Sequence, residues 1–261
     1  MKLRVLAVPH VMLLVVQIAA AQQINFVACP VVRDTRTVPC FLAEYEGETY
    51  FLAVQQDISA DQYPPQLLHD VLVEGTIQPG PRVCGGIPLK PVKLSVMPEV
   101  NPACNTILPA EPGIDAPPTH RPAGPSTRPA AAAAAPAAPA APVRPTPPFG
   151  EREWKILYDF DSAFLFSRDT RTVNQAADYA VAAKAKQIEI VAHRGATLLS
   201  NGKVLVEGQA IAAQRAERVA TLLKGLGTDP ASVKVRVMSA PPQPDGKTDP
   251  ENRVVSIRVS P

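Results

Sequence analysis

The sequence predicts two small domains on a long tether: an all-β N-terminal domain, a small barrel stapled by disulfides, and an α+β C-terminal domain. Three observations predict this. Residues 111–149 are dominated by Pro and Ala, and the run from Ala130 to Pro142 contains nothing else. Apolar residues alternate with period 2 before this stretch, whereas helical spacing appears only after it. All four cysteines, Cys29, Cys40, Cys84 and Cys104, precede it.

The opening segment, Met1 to Ala21, has the layout of a secretory signal. Lys2 and Arg4 form a positive start, Val11 to Val16 an apolar centre, and Ala19-Ala20-Ala21 a small-residue cleavage site. Pro9, His10 and Gln17 interrupt it, leaving it short of the roughly 20 apolar residues that a membrane span needs. The expected location is the periplasm, with association to the outer membrane as an option. Phe26-Val27-Ala28-Cys29 offers a second reading, lipidation at Cys29, but Gln22, Gln23 and Asn25 break its apolar lead-in. The sequence therefore favours a chain that meets membranes by association only.

Residues 24–110 read as strands. Val38 to Tyr45 and Thr49 to Gln56 flank Glu46-Gly47-Glu48 as a hairpin, and Val71 to Ile77 and Val92 to Met97 alternate as half-buried strands. Gly75 inside a strand marks a bulge or corner, and Cys84-Gly85-Gly86 a tight turn. The strand order is faintly similar to an OB-type barrel. Four cysteines in an exported chain predict two disulfides in one of three pairings. No Cys-x-x-Cys pair occurs and only His69 lies among them, so no metal site is expected.

Charge separates the halves. Residues 22–112 hold five basic and ten acidic side chains, whereas residues 150–261 hold sixteen basic and thirteen acidic. An acidic domain lacks the counterion-release drive toward nucleic acid. Between them the proline spacing favours extended polyproline II, with Arg121, Arg128 and Arg144 keeping the tether solvated. Its reach is on the order of 100 Å, so one domain can hold a fixed partner while the other searches.

Residues 150–261 change period. Trp154 to Phe160 reads as a buried strand, and Asp169 to Ala183 as a helix with Val173, Ala176, Ala177 and Ala180 on one face. Gln187 to Ala192 is a second strand. Gly208 to Leu226 is a second helix that stops at Gly227. Ser232 to Val237 and Arg253 to Val259 complete a strand–helix–strand–helix–strand–strand order, with the helices on one face of a mixed sheet. Asn201-Gly202, flanked by apolar runs, signals a hairpin over Thr197 to Val206.

These segments carry a resemblance. Tyr158-Asp159-Phe160-Asp161-Ser162-Ala163, Ile188-Glu189-Ile190-Val191-Ala192-His193, Ile211-Ala212-Ala213-Gln214-Arg215-Ala216-Glu217-Arg218-Val219 and Asn252-Arg253 follow the order of the OmpA-like domain family. Residues 152–260 thus resemble a peptidoglycan-binding domain. The resemblance implies that the domain grips the diaminopimelate of a stem peptide, a zwitterion. An Arg on the second helix takes the carboxylate through its bidentate guanidinium, and an Asp after the second strand takes the ammonium.

Arg215 stands at the Arg position, but Gly195 stands where the family has Asp, Gly208 where it usually has Asn, and Val254 where it has a second Arg. Asp161 and Glu207 are the acids available to compensate, and His193 and Arg253 complete the candidate set. A bland reading competes at each position: Arg215 pairs with a carboxylate on an exposed helix face, His193 caps the core edge, and Asp161 caps a loop. The extra hairpin over Thr197 to Val206 would overhang the pocket, as a lid or as a sheet edge for a partner.

No Gly-x-Ser-x-Gly, metal-spaced cluster or phosphate loop occurs, so neither catalysis nor a cofactor is expected. The expectation is a non-enzymatic envelope protein that contacts peptidoglycan in a non-standard way. The alternative is a periplasmic protein–protein interaction module that has kept the fold and lost wall binding, with an envelope protein as partner.

Overall fold

The computed structural model describes residues 22–55, 64–117 and 145–261. The segment read as a secretory signal, the end of the second hairpin strand at Gln56 and most of the stretch read as a tether (118–144) lie outside the described residues. The layout is α+β in two units, one all-strand and one mixed, with two disulfides in the first. Among the described residues no helix is long and apolar enough to cross a membrane.

The N-terminal unit has seven strands: β1 (Gln23–Ala28), β2 (Pro30–Arg33), β3 (Cys40–Tyr45), β4 (Glu48–Val54), β5 (His69–Ile77), β6 (Ile87–Val100) and β7 (Thr106–Leu108). They form one sheet in the order β1-β5-β6-β4-β3-β2-β7. Only Cys29 separates β1 from β2, so one chain segment, residues 23–33, pairs with β5 through its first half and with β3 through its second. The β3–β4 hairpin turns on Glu46 and Gly47, both at positive φ, as its two-residue loop demands. The ladder between β5 and β6 shifts register between Gly75 and Ile77, which is the bulge expected at Gly75. Strands β1, β2 and β7 carry no clear period-2 signal and were not predicted.

Ile24, Phe26, Phe41, Ala43, Leu52, Val71, Val73 and Leu94 form the apolar centre of this unit. The cysteines pair as Cys29–Cys104 and Cys40–Cys84. One bond ties the β1–β2 junction to the turn before β7. The other ties the start of β3 to the Val83–Gly86 turn.

The C-terminal unit runs β8 (Arg152–Leu157), α1 (Ser167–Ala183), β9 (Gln187–His193), β10 (Ala196–Leu198), β11 (Val204–Val206), α2 (Ile211–Gly225), β12 (Val233–Met238) and β13 (Val254–Ser260). The main sheet has the order β12-β9-β13-β8, with β12 parallel to β9 and β13 antiparallel to both neighbours. Alternate residues Ile188, Ile190 and Ala192 of β9 and Val255, Ile257 and Val259 of β13 meet Val173, Ala176 and Ala180 of α1 and Ala212, Ala216 and Val219 of α2 in one core. Alanines on both helix faces let the backbones approach the sheet closely.

Helix α1 starts where the Asp169 carboxylate accepts the Phe166 N–H, 2.9 Å away. Two boundaries differ from the sequence expectation. Strand β8 ends at Leu157, because Tyr158 to Asp161 turn away and Asp161 sits at positive φ. Helix α2 starts at Ile211, three residues after Gly208, whose N–H donates to the Asp161 carboxylate ahead of the helix. The predicted hairpin forms as β10–β11.

Candidate functional site

The site is built where three connections of the C-terminal unit converge: the loop after β8, the β9–β10 junction and the approach to α2. Arg215 lies one turn into α2, and its side chain has no exposure to solvent. Its Nη1 donates to Glu207 Oε2 at 2.9 Å and its Nη2 to Glu207 Oε1 at 2.5 Å, a bidentate pair. The remaining guanidinium hydrogens go to backbone carbonyls of Ser162, His193 and Asp159. The guanidinium carbon also stands 4.8 Å from the centre of the Tyr158 ring. Burial pushes the Tyr158 hydroxyl pKa well above its ordinary value, with the Arg215 charge opposing.

Glu207 is equally enclosed. Besides the two guanidinium bonds, Oε1 accepts the Asp161 N–H at 2.9 Å and Oε2 the Gly195 N–H at 2.6 Å. One carboxylate thus holds four charge-assisted hydrogen bonds without solvent contact, as a buried charge requires. The expectation of an Arg215 ion pair on an exposed helix face is corrected: the pair exists, but it is buried.

Gly195 explains itself in this setting. A Cβ at that position would lie 2.5 Å from Arg253 Cγ and 3.2 Å from Glu207 Oε2. The space that an Asp side chain would need is taken by the Arg253 stem and the Glu207 carboxylate. Gly208 is similarly pressed, since its Cβ would meet Asp161 Oδ1 at 3.1 Å. Asp161 thus joins the cluster through its backbone N–H to Glu207 and its carboxylate to Gly208 N–H, 2.7 Å away. His193 contributes its carbonyl to Arg215, and its ring titrates below the ordinary value because of partial burial and the nearby Arg236 charge.

No protein-family model matches the chain, and no curated protein matches it. In arrangement, the chain is similar to solved OmpA-like domains. One is the OmpA-like domain of FopA1 from Francisella tularensis, 17% identical, covering 42% of this chain and 72% of that one at a TM-score of 0.35. The periplasmic domain of Helicobacter pylori MotB is 19% identical over 42% of this chain and 76% of that one, at 0.32. The peptidoglycan-associated lipoprotein from Burkholderia pseudomallei is 20% identical over 41% and 89%, at 0.33.

Arg253 lies on the other side of Gly195, again without solvent exposure. Its partner comes from the other unit. Nη1 donates to Glu74 Oε1 of β5 at 3.1 Å, Nη2 donates to Glu74 Oε2, and Nη1 also reaches Thr197 Oγ1 at 3.0 Å. Thr197 in turn donates to Glu74 Oε1 at 2.9 Å.

Around this pair the units meet along a continuous front. Leu72 of β5 packs with Phe160 and Leu199 in a shared apolar cluster. Phe160 N–H donates to Ser95 Oγ of β6 at 2.8 Å, and Lys93 pairs with Asp159. The hairpin grips the sheet edge: Ser200 N–H donates to Asn25 O at 2.8 Å, and Asn25 N–H donates back to Ser200 Oγ at 2.9 Å. Asn25 Nδ2 adds bonds to the carbonyls of Leu198 and Gly246. The hairpin that the sequence placed over the pocket therefore offers its tip to β1 of the same chain.

Of the sequence candidates, Arg215, Glu207 and Asp161 form one cluster. Arg253 abuts it through Gly195, and His193 joins by its backbone. Glu74, Thr197, Ser95 and Asn25 went unrecognised. One signal was legible: Glu74 interrupts the apolar run Val71-Leu72-Val73, and a carboxylate in a buried strand needs a partner.

Proposed function

We propose that this chain is a non-enzymatic cell-envelope protein whose C-terminal unit works as a protein-interaction module, with the N-terminal unit seated on it in cis. The observation that carries the reading is the state of Arg215. Its guanidinium is wholly buried and both terminal nitrogens are committed to Glu207, so the group that would take a stem-peptide carboxylate is filled from within. The neighbouring Arg253 is filled by Glu74 of the N-terminal unit. Pairing of all four cysteines supports an oxidising compartment such as the periplasm.

Wall contact is the second reading, and one observation favours it. Glu207 places an acid beside Arg215, where the sequence lacks the Asp expected after the second strand. In that reading the acidic half of the pocket is rebuilt from the approach to α2, and a stem peptide enters once the N-terminal unit moves off.

Co-sedimentation of the full chain with purified peptidoglycan sacculi separates the two. The first reading expects the chain to stay in solution in its disulfide-bonded form, beside a wall-binding protein as positive control. Saturable pelleting of the full chain would overturn it in favour of wall contact.

A further inference from the structure

The contact between Arg253 and Glu74 is asymmetric in origin. The side chains that hydrogen-bond the Glu74 carboxylate, Arg253 and Thr197, belong to the C-terminal unit. The two Arg253 nitrogens present a fork, the Thr197 hydroxyl adds a third donor, and the Phe160 ring lies 5.8 Å from the guanidinium carbon. Beside it, Phe160 and Leu199 make an apolar seat, lined further by Leu205. The N-terminal unit fills the two places with Glu74 in the fork and Leu72 in the apolar seat, where Val27 and Met97 pack beside Leu72.

Residues 72 and 74 are two apart on β5, so their side chains leave the same face of an extended strand. The fork and the seat are therefore spaced to read an apolar residue followed two positions later by an acid. Among the described residues the buried Arg253 Nε has no hydrogen-bond partner, and Glu74 engages only the two terminal nitrogens. A buried ion pair repays its desolvation only when every donor is satisfied. This one is incompletely compensated, which suits a contact that exchanges.

We propose that Arg253, Thr197, Phe160 and Leu199 form a receptor for an extended acidic peptide segment of the pattern apolar–x–Glu, and that β5 is its built-in occupant. Docking of the N-terminal unit and binding of such a segment from a partner protein then exclude each other. The partner surface is chemically defined: an exposed strand or tail with a carboxylate and an apolar side chain on one face.

The probe is a labelled peptide of residues 70–76 (Asp-Val-Leu-Val-Glu-Gly-Thr), with a counterpart in which Glu74 is replaced by Gln. Both are titrated against the full chain and two variants that release the N-terminal unit, Asn25→Arg at the hairpin contact and Glu74→Gln in the fork. The Glu peptide should bind the variants about tenfold or more tightly than the wild type, and the Gln peptide should lose about tenfold. Hydrogen exchange on the wild type needs no variant. The Phe160 amide, bonded to Ser95 across the front, should exchange faster with excess Glu peptide and not with the Gln peptide. Equal binding of the two peptides, or a Phe160 amide indifferent to both, would overturn the proposal. The idea rests on the protein-interaction reading yet fails separately from it. Pelleting with sacculi removes that reading and leaves the peptide result intact, whereas a soluble chain that ignores the peptide removes only the receptor.

Discussion

Truncating Glu207 to Ala gives the most quantitative test of the filled site. The substitution removes the acceptor of four hydrogen bonds, two from Arg215 and one each from the Asp161 and Gly195 amides. Arg215 keeps three backbone carbonyls, from Ser162, His193 and Asp159, but loses its carboxylate partner while remaining inside the unit. Breaking a buried pair in this way costs about 3–5 kcal/mol. For a folding unit of this size that lowers the melting temperature by on the order of 10–20 °C. Glu207→Gln keeps the volume but turns one acceptor into a donor facing other donors, so it should recover little of the loss. Differential scanning calorimetry and urea unfolding of the full chain are the assays. A loss below about 1 kcal/mol, the range of a solvent-exposed pair, would refute the argument, because it would mean that water reaches Arg215.

Other consequences follow from particular contacts. Gly195→Ala should cost about 1–3 kcal/mol by overpacking, since its Cβ would sit 2.5 Å from Arg253 Cγ; a neutral result in a melting curve would mean that the Arg253 stem lies elsewhere. The His193 ring titrates below its ordinary value in the folded chain, so the unfolded state binds the proton first. Its stabilising contribution is complete above the unfolded value and is lost as pH falls through the folded one, and His193→Gln should flatten that part of a stability–pH curve just below neutral. Replacing Cys40 and Cys84 together with Ser should cost about 2–4 kcal/mol, as the crosslink spans a sequence separation of 44, read as a shift in the unfolding midpoint of the N-terminal unit.

Much of the C-terminal unit was legible because period and composition agree there. Alanine-rich helical faces and the alternating Ile188-Glu189-Ile190 strand leave one way to bury apolar surface. The N-terminal strands that carry a clear alternation, β3 to β6, were legible for the same reason. Strands β1, β2 and β7 were not, because Gln23-Ile24-Asn25 and the short Thr106-Ile107-Leu108 gain their order from pairing with distant partners rather than from local pattern.

The site divides in the same way. Arg215 and Glu207 are eight residues apart and belong to segments with a readable order, so both appeared among the candidates. Glu74 and Arg253 are separated by 179 positions, the Pro- and Ala-rich stretch among them, and only the docked fold brings them together. The difference at Gly195 looked like a lost acid when read along the chain. In space it is the clearance that lets the Arg253 side chain reach across to the other unit.

The central claim is that the two units are held together through Glu74 and Arg253. A double-mutant cycle measures it most directly, with Glu74→Gln, Arg253→Gln and the double variant compared by equilibrium unfolding of the full chain. The account predicts a coupling of about 1 kcal/mol or more between these residues, because each is buried against the other. Effects that add to within about 0.5 kcal/mol would contradict it and separate the two units.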